Sequence, residues 1–116
     1  FIQYTYARIQ SLKRKYTAEV VIPSSVAITP KEQEIIKKII DLPNVIQESA
    51  DSYSPAIIAN YTYNLVKDFN NYYQSTPILA AESEELINFR LGLSINVGEV
   101  LKTSMRLLGV AVPDRM

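Results

Sequence analysis

The stretch that decides the fold is residues 83–109, which read SEELINFRLGLSINVGEVLKTSMRLLG. On a helical wheel with a step of about 100° per residue, apolar side chains cover nearly the whole circumference. A helix of this kind is buried by its neighbours, so we expect a central helix that is capped by Ser83 and ends at Gly109. Its narrow polar face is formed by Glu85, Asn88, Gly92, Asn96, Glu99, Thr103 and Arg106.

Arg90 is the exception on this helix, because the wheel places its charged side chain inside the apolar sector. A buried charge without a partner is costly, so another group must compensate it. One interpretation is a salt bridge to an acid on another helix, such as Asp51 or Asp68. The other is a guanidinium that points into a phosphate site. Buried arginines usually find a protein partner, so we favour the salt bridge and a structural role.

The composition narrows the possible functions. The 116 residues suit one domain, which can bury about two thirds of the surface that its unfolded chain exposes. The sequence has no cysteine and no histidine, which removes the commonest nucleophiles, bases and transition-metal ligands. We therefore expect no catalytic residue and no metal site. Twelve basic and twelve acidic side chains balance, so any nucleic-acid binding must be local.

The sequence also bears on location. No run is long and apolar enough to span a bilayer, and the first residues lack the order of a signal peptide. We expect a soluble protein without membrane contact, and the lack of cysteine is compatible with a reducing cytoplasm. The chain opens on Phe1 within a helical pattern, which suggests a piece of a larger protein.

Apolar spacing and capping signals predict an all-α fold, a single bundle of about five helices over residues 1–116. Thr29, Pro30 and Glu32 form a capping box with proline at the first helical position. Ser54 and Pro55 repeat the cap-then-proline signal. The second helix is expected to bury Ile35, Ile36, Ile39 and Ile40. The predicted helices span residues 1–15, 30–41, 43–51, 55–73 and 84–109, and residues 17–29 form a connection.

Two groups of side chains are candidates for a binding surface. Tyr4, Arg8, Ser11 and Lys15 recur at spacings of three and four, so they form one row on the first helix. Asn70 and Tyr73 form the second group, which again places a tyrosine ring beside a hydrogen-bonding side chain. Such residues are typical of a core edge beside a solvated basic strip, and residue patterns alone favour that interpretation. An exposed ring near a cation is also what proteins use to stack an unpaired RNA base.

The residues as an ordered set resemble a known family. Residues 3–9, QYTYARI, are similar to the QYxxARI segment of arginyl-tRNA synthetases, and further matches follow in the same order over the whole chain. The chain is thus similar to the DALR-type anticodon-binding helical bundle at the C-terminus of those enzymes. The further matches are Leu42-Pro43, Pro55 with Ala59-Asn60-Tyr61, residues 69–73 (FNNYY), Arg90-Leu91, residues 107–110 (LLGV) and residues 113–116 (PDRM).

The resemblance implies a partner, the anticodon stem and loop of an arginine-accepting tRNA. It also implies that a separate catalytic domain of the same synthetase, absent from this chain, performs ATP-dependent aminoacylation with Mg²⁺. This chain would then need no cofactor and would act as a cytoplasmic monomer. Tyr4 and Tyr73 would stack on bases, Arg8 would bind phosphate or base, and Met116 would pack with its carboxylate nearby. The implied tRNA-binding residues are Tyr4, Arg8, Lys15, Asn70, Tyr73, Arg115 and Met116.

One position departs from the family pattern, since Tyr6 stands where the family often has histidine. We therefore assign Tyr6 to the core. The β-subunit of glycyl-tRNA synthetase carries a related bundle and is an alternative. A helical protein-interaction module without nucleic-acid binding is the alternative from another class. The QYTYARI opening and the terminal Arg115-Met116 favour the arginine enzyme.

Overall fold

The computed structural model describes residues 2–16 and 26–109, and this part of the chain forms an all-α bundle. The predicted fold class is confirmed, and each helix begins and ends within two residues of its predicted bounds. Of the predicted connection, residues 17–25 lie outside the described residues. The helices in order are α1 (Ile2–Lys15), α2 (Pro30–Ile40), α3 (Leu42–Asp51), α4 (Pro55–Ser75) and α5 (Glu84–Leu107).

The helix starts follow from capping chemistry. Before α2, Thr29 Oγ1 accepts from the Glu32 N–H at 3.3 Å, and Glu32 Oε1 accepts from the Thr29 N–H at 2.8 Å. The predicted capping box is therefore confirmed. Ser83 accepts from the Leu86 N–H at 3.2 Å before α5.

Two other helix ends depend on the backbone. Ser54 is the N-cap of α4 and Pro55 follows it, as predicted, but the Ser54 side chain makes no cap hydrogen bond. The Ile57 N–H, which such a side-chain cap would satisfy, donates to the Ser54 carbonyl instead. At the other end of the chain, Gly109 follows α5 with a φ of +81°, the left-handed conformation that often ends helices.

The core forms where α1 and α4 pack against α5 and is closed by α2, while α3 packs mainly on α4. α1 runs antiparallel to α5, since Ile9 meets Gly98 and the Tyr16 hydroxyl donates to Asn88 Oδ1. A Cβ at Gly98 would lie 3.1 Å from Ile9 Cγ2, so the glycine permits this close approach. Tyr6 is 3% exposed, which confirms its predicted core position.

Two predicted faces need correction. Ile40 is 70% exposed although the helical period placed it on the buried side of α2, because it is the last residue of that helix and extends past the core. Gly92 is buried although the wheel placed it on the polar face of α5. Gly92 has no side chain that could reach solvent, so its place on the polar face of the wheel does not make it exposed.

Arg90 has a partner, but it is neither of the two acids suggested by the sequence. Its Nε lies 3.5 Å from Glu32 Oε2, the separation of an ion pair, and its Nη1 donates to the Pro77 carbonyl at 2.7 Å. The Tyr72 hydroxyl donates to the same Glu32 oxygen at 2.6 Å. We call these four groups, Glu32, Tyr72, Arg90 and the Pro77 carbonyl, the Glu32 cluster. The Arg90 and Glu32 side chains are 13% and 1% exposed.

The two suggested acids are engaged elsewhere, which explains the correction. Asp68 pairs with Lys38 of α2, and Asp51 accepts from Gln47 Nε2 on its own helix α3 at 2.8 Å. Glu32 lies in the first turn of α2, which packs against both α4 and α5. It is therefore the acid that the tertiary structure brings to Arg90.

Two tyrosines make the stability of the fold sensitive to alkaline pH. Burial, and then the hydrogen bond to Glu32, raise the pKa of Tyr72, while burial and the negative charge of Asp41 raise the pKa of Tyr61 to about 12. Above pH of about 10, the usual tyrosine pKa, these hydroxyls ionise in the unfolded chain before they ionise in the folded chain. The unfolded state then binds fewer protons, so stability is full below pH 10 and falls as the pH rises.

We expect the free energy of unfolding, measured by urea titration at steps between pH 8 and pH 11, to decline from about pH 10 upward. The Tyr72→Phe variant should decline less steeply than the parent, by at most about 1.4 kcal/mol per pH unit, the value for one proton. The quantity to compare is the parent-minus-variant difference in the free energy of unfolding, because it isolates the contribution of the Tyr72 hydroxyl. Parallel curves for the two proteins would contradict this assignment.

None of the described helices is long and apolar enough to cross a membrane.

Candidate nucleic-acid interface

A groove of about 420 Å³ lies between α1 and the last turns of α4. Its volume is within the range of ligand sites. Its described lining includes three cations and two aromatic rings and no acidic residue, so the local field is positive although the net charge of the chain is zero. The groove is lined by Tyr4, Ala7, Arg8, Ser11, Leu12, Arg14, Lys15 and Tyr73.

The centre of the groove is the Arg8 guanidinium, which contacts two tyrosine rings. Its Cζ lies 4.9 Å from the centroid of the Tyr4 ring and 4.5 Å from that of the Tyr73 ring. Both distances allow a cation–π interaction, which is stronger where water is partly excluded. Arg8 Nη2 also donates to the Tyr4 hydroxyl at 3.2 Å. The guanidinium is thus held between a ring from α1 and a ring from α4.

Asn70 joins the two helices beneath this arrangement. Its Nδ2 donates to Thr5 Oγ1 at 3.0 Å, and its Oδ1 accepts from Arg8 Nη1 at 3.4 Å. Thr5 is fully buried, so the amide of Asn70 is oriented from the core side. Asn70 and Tyr73 lie three residues apart and therefore share one face of α4. The geometry fixes the direction of the Arg8 side chain.

Local helix geometry explains the rest of the groove. Tyr4, Arg8, Ser11 and Lys15 recur at the spacing that places them on one face of α1, as the sequence predicts. Tyr73 approaches from α4, and its ring contacts the Phe69 ring with 6.3 Å between centroids. Because Phe69 is fully buried, it anchors Tyr73 to the core from behind. The Tyr73 ring also lies against the Arg8 guanidinium and lines the groove.

The structure brings together five of the predicted site residues: Tyr4, Arg8, Lys15 and Tyr73 line the groove, and Asn70 contacts Arg8. Their role in binding stays a prediction. Arg115 and Met116 lie outside the described residues. Arg90 belongs to the Glu32 cluster and is not part of the described lining.

Sequence reasoning missed Arg14, which also lines the groove. The signal was present, because Arg14 follows Ser11 by three residues and so falls on the same side of α1. The predicted row continues from Ser11 to Lys15, at a spacing of four, and does not include Arg14. With Arg14 included, the positive charge continues along the last turn of α1, where Lys13 also stands.

The side chains of the groove are suited to bind an anion that also carries flat rings. Guanidinium and ammonium groups pair with phosphate, and tyrosine rings offer stacking surface to bases. Within residues 2–16 and 26–109, no group of acidic side chains is placed to hold a metal ion. The groove is therefore suited to a nucleic acid with unpaired bases.

An all-α bundle with a basic, tyrosine-lined groove is compatible with the class of helical nucleic-acid-binding domains. Comparison with known families makes the class specific. The sequence model of the family described as the DALR anticodon binding domain matches residues 2–116, and the chain belongs to this family.

Relatives and solved structures agree with this family. The chain is 49% identical to an arginine–tRNA ligase of Flavobacterium psychrophilum over 116 residues and 48% identical to that of Phocaeicola vulgatus over 122 residues. These matches cover 100% of this chain but 19% and 20% of the relatives, so the chain spans about one fifth of their length.

The fold is similar to part of the Thermus thermophilus arginyl-tRNA synthetase, with a TM-score of 0.90 and 31% identity over 99% of this chain and 20% of that one. The Plasmodium falciparum arginyl-tRNA synthetase matches 99% of this chain and 21% of its own with a TM-score of 0.83. Its identity is 24%, so this second similarity concerns the fold alone.

Proposed function

We propose that this chain is the anticodon-binding domain of an arginine–tRNA ligase and binds the anticodon stem and loop of arginine tRNA. The observation that carries the proposal is the Arg8 guanidinium held between Tyr4 and Tyr73 in a basic groove. The family membership and the names of the relatives support the choice of tRNA among nucleic acids.

In this proposal the groove binds the loop in two ways. Arg8, Arg14 and Lys15 pair with phosphates, which supplies affinity that depends on salt. The rings of Tyr4 and Tyr73 offer surface on which unpaired bases of a single-stranded loop stack. Arg8 is also able to donate to a base edge, since a guanidinium has five N–H donors and two of them donate to described residues, Asn70 and Tyr4.

The remainder of the proposal concerns the larger enzyme. Aminoacylation with ATP and Mg²⁺ is assigned to a catalytic domain outside this chain, which would hold the acceptor end of the tRNA while the bundle holds the anticodon. The contribution of Arg115 and Met116 to the groove belongs to the same proposal. So do a monomeric state and a cytoplasmic location, where protein synthesis would use the enzyme.

The proposal predicts salt-dependent and anticodon-dependent binding of arginine tRNA. Binding of transcribed tRNA to the chain should be measured by filter retention at several salt concentrations between 50 and 200 mM. We expect the logarithm of the association constant to fall linearly with the logarithm of the salt concentration, with a slope of about −2 to −3 for the three cations that line the groove. The same tRNA with an altered anticodon should bind more weakly at every salt concentration.

The result also separates the alternatives. Equal affinity for arginine tRNA and its anticodon variant would contradict anticodon reading. Preference for glycine tRNA would favour the related bundle of the glycyl-tRNA synthetase β-subunit. Absence of RNA binding at the lowest salt concentration would overturn the proposal in favour of a protein-interaction module.

A further inference from the structure

We infer that the Glu32 cluster is a positioning device for RNA binding, because it holds the last turn of α4 so that Tyr73 faces the groove. The inference rests on the proposed function. It gives Glu32, Tyr72 and Arg90, which do not line the groove, a measurable effect on the affinity for tRNA.

Tyr73 lies near the end of a helix, where side chains are less firmly held than in the helix interior. α4 ends at Ser75, so Tyr73 lies within its last turn. The last carbonyls of a helix have no partner within it, and such ends fray. A ring that must stack on a base from a fraying turn would be ordered only on binding, and that ordering would reduce the affinity.

The cluster holds this turn through α2 and α5, whereas the groove lies against α1. The Tyr72 hydroxyl donates to Glu32 Oε2 at 2.6 Å, which ties α4 to the first turn of α2. Arg90 Nη1 donates to the Pro77 carbonyl at 2.7 Å, which fixes the chain just beyond α4. Between these two points the Thr76 N–H donates to the Tyr72 carbonyl at 2.9 Å. The end of α4 is thereby held at two adjacent places.

Tyr72 and Tyr73 are coupled by the backbone and by packing. They are consecutive residues, so a rotation of the helix end that moves one ring moves the other. The buried Phe69 ring contacts both, with centroids 6.3 Å from the Tyr72 ring and 6.3 Å from the Tyr73 ring. Tyr72 is fully buried toward α2, whereas Tyr73 reaches Arg8 of α1. Fixing the first side chain therefore sets the direction of the second.

The first test is the Tyr72→Phe variant, which keeps the ring and removes only the hydroxyl. We expect its affinity for arginine tRNA to fall about 3- to 10-fold at a temperature where the protein is fully folded, because Tyr73 must then be ordered on binding. The slope of affinity against salt should not change, since the groove cations are intact.

A matched control is available on the same helix. The Tyr61 hydroxyl also donates to α2, to the Lys38 carbonyl, but Tyr61 lies twelve residues before Tyr73. The Tyr61→Phe variant loses a comparable hydrogen bond and should bind tRNA like the parent. An equal loss of affinity in both variants would show a general effect of destabilisation and would overturn the inference.

A double-mutant cycle with Tyr73→Ala tests whether the effect passes through Tyr73. If it does, Tyr72→Phe should have no further effect on affinity in the Tyr73→Ala background. Additive losses would overturn the inference, because a merely structural role of Tyr72 does not depend on the ring at position 73. Arg90→Lys, which keeps a positive charge beside Glu32 but cannot reproduce the guanidinium contacts, should show the same dependence and serves if Tyr72→Phe does not fold.

The cycle distinguishes failure of this inference from failure of the proposed function. If the parent chain binds no tRNA, the proposed function is overturned and the inference falls with it. If the parent binds tRNA and Tyr73→Ala weakens that binding while the cycle is additive, the groove stands and the positioning role is excluded.

Discussion

Replacing Arg90 with methionine should destabilise the fold by about 3–5 kcal/mol, the cost typical of removing one partner from a buried ion pair. The Glu32 side chain is 1% exposed, so it cannot recover its hydration once the guanidinium is gone. The Pro77 carbonyl also loses its donor. Urea unfolding followed by the helical circular dichroism signal at neutral pH measures this loss.

The matched control is Lys37→Met, which removes the cation of an exposed pair. Lys37 Nζ lies 3.6 Å from Glu34 Oε1, and the two side chains are 72% and 63% exposed. Exposed pairs one helical turn apart contribute about 0.3–0.5 kcal/mol, so this variant should unfold at nearly the parental urea concentration. The contrast between two Met variants isolates burial as the cause.

A second substitution shows whether the buried charge of Glu32, left without its cation, is responsible for the loss of stability. In the Arg90→Met background, Glu32→Gln removes the buried charge while an amide oxygen remains for the Thr29 N–H of the capping box. We expect the double variant to be more stable than Arg90→Met alone. If Arg90→Met costs less than about 1 kcal/mol, the ion pair is not the buried interaction described here.

Local rules predicted the helices of this chain well, because their signals are short-range. Thr29, Pro30 and Glu32 lie within four residues and specify the start of α2: Thr29 and Glu32 exchange hydrogen bonds, and Pro30 occupies the first helical position, where no N–H donor is needed. The apolar period fails at Ile40, the last residue of α2, because periodicity does not show whether the core extends as far as the helix end. At such a helix terminus, packing rather than periodicity decides exposure.

Pairings across the fold could be anticipated only in part. The wheel shows that Arg90 needs a partner, but choosing Glu32 over Asp68 requires the relative position of α2, α4 and α5. The capping role of Glu32 uses Oε1, and nothing local shows that Oε2 faces Tyr72 and Arg90. Glu32 therefore has two roles: it completes the local capping box, and it is the centre of the nonlocal Glu32 cluster.

The candidate site was predicted residue by residue but not as a constellation. Helical spacing places Tyr4 and Arg8 together, and it places Asn70 and Tyr73 together. That the two pairs meet depends on how α1 packs against α4, and this is set by core contacts such as those of Ile9 and Phe69. The resemblance to a known family supplied what periodicity could not.

Arg8→Ala should weaken the binding of arginine tRNA about 10- to 100-fold, as expected for a charged hydrogen-bond donor that contacts the ligand. If the guanidinium binds a phosphate, the slope of log affinity against log salt should also become less steep by about 1. An unchanged slope with lower affinity would indicate contact with a base instead. The measurement is the same salt titration by filter retention that tests the proposed function.

Arg8→Lys decides whether charge or shape is needed at this position. Lysine keeps the positive charge, but its ammonium is a point charge that lacks the planar fork of donors. It cannot lie flat between the Tyr4 and Tyr73 rings and also donate to Asn70, so we expect only a partial recovery of affinity. Arg106→Ala, which removes the same charge from an exposed position outside the described groove lining, is the control and should bind like the parent. If Arg8→Lys restores full affinity, the aromatic contacts are incidental; if Arg106→Ala weakens binding equally, only net charge matters.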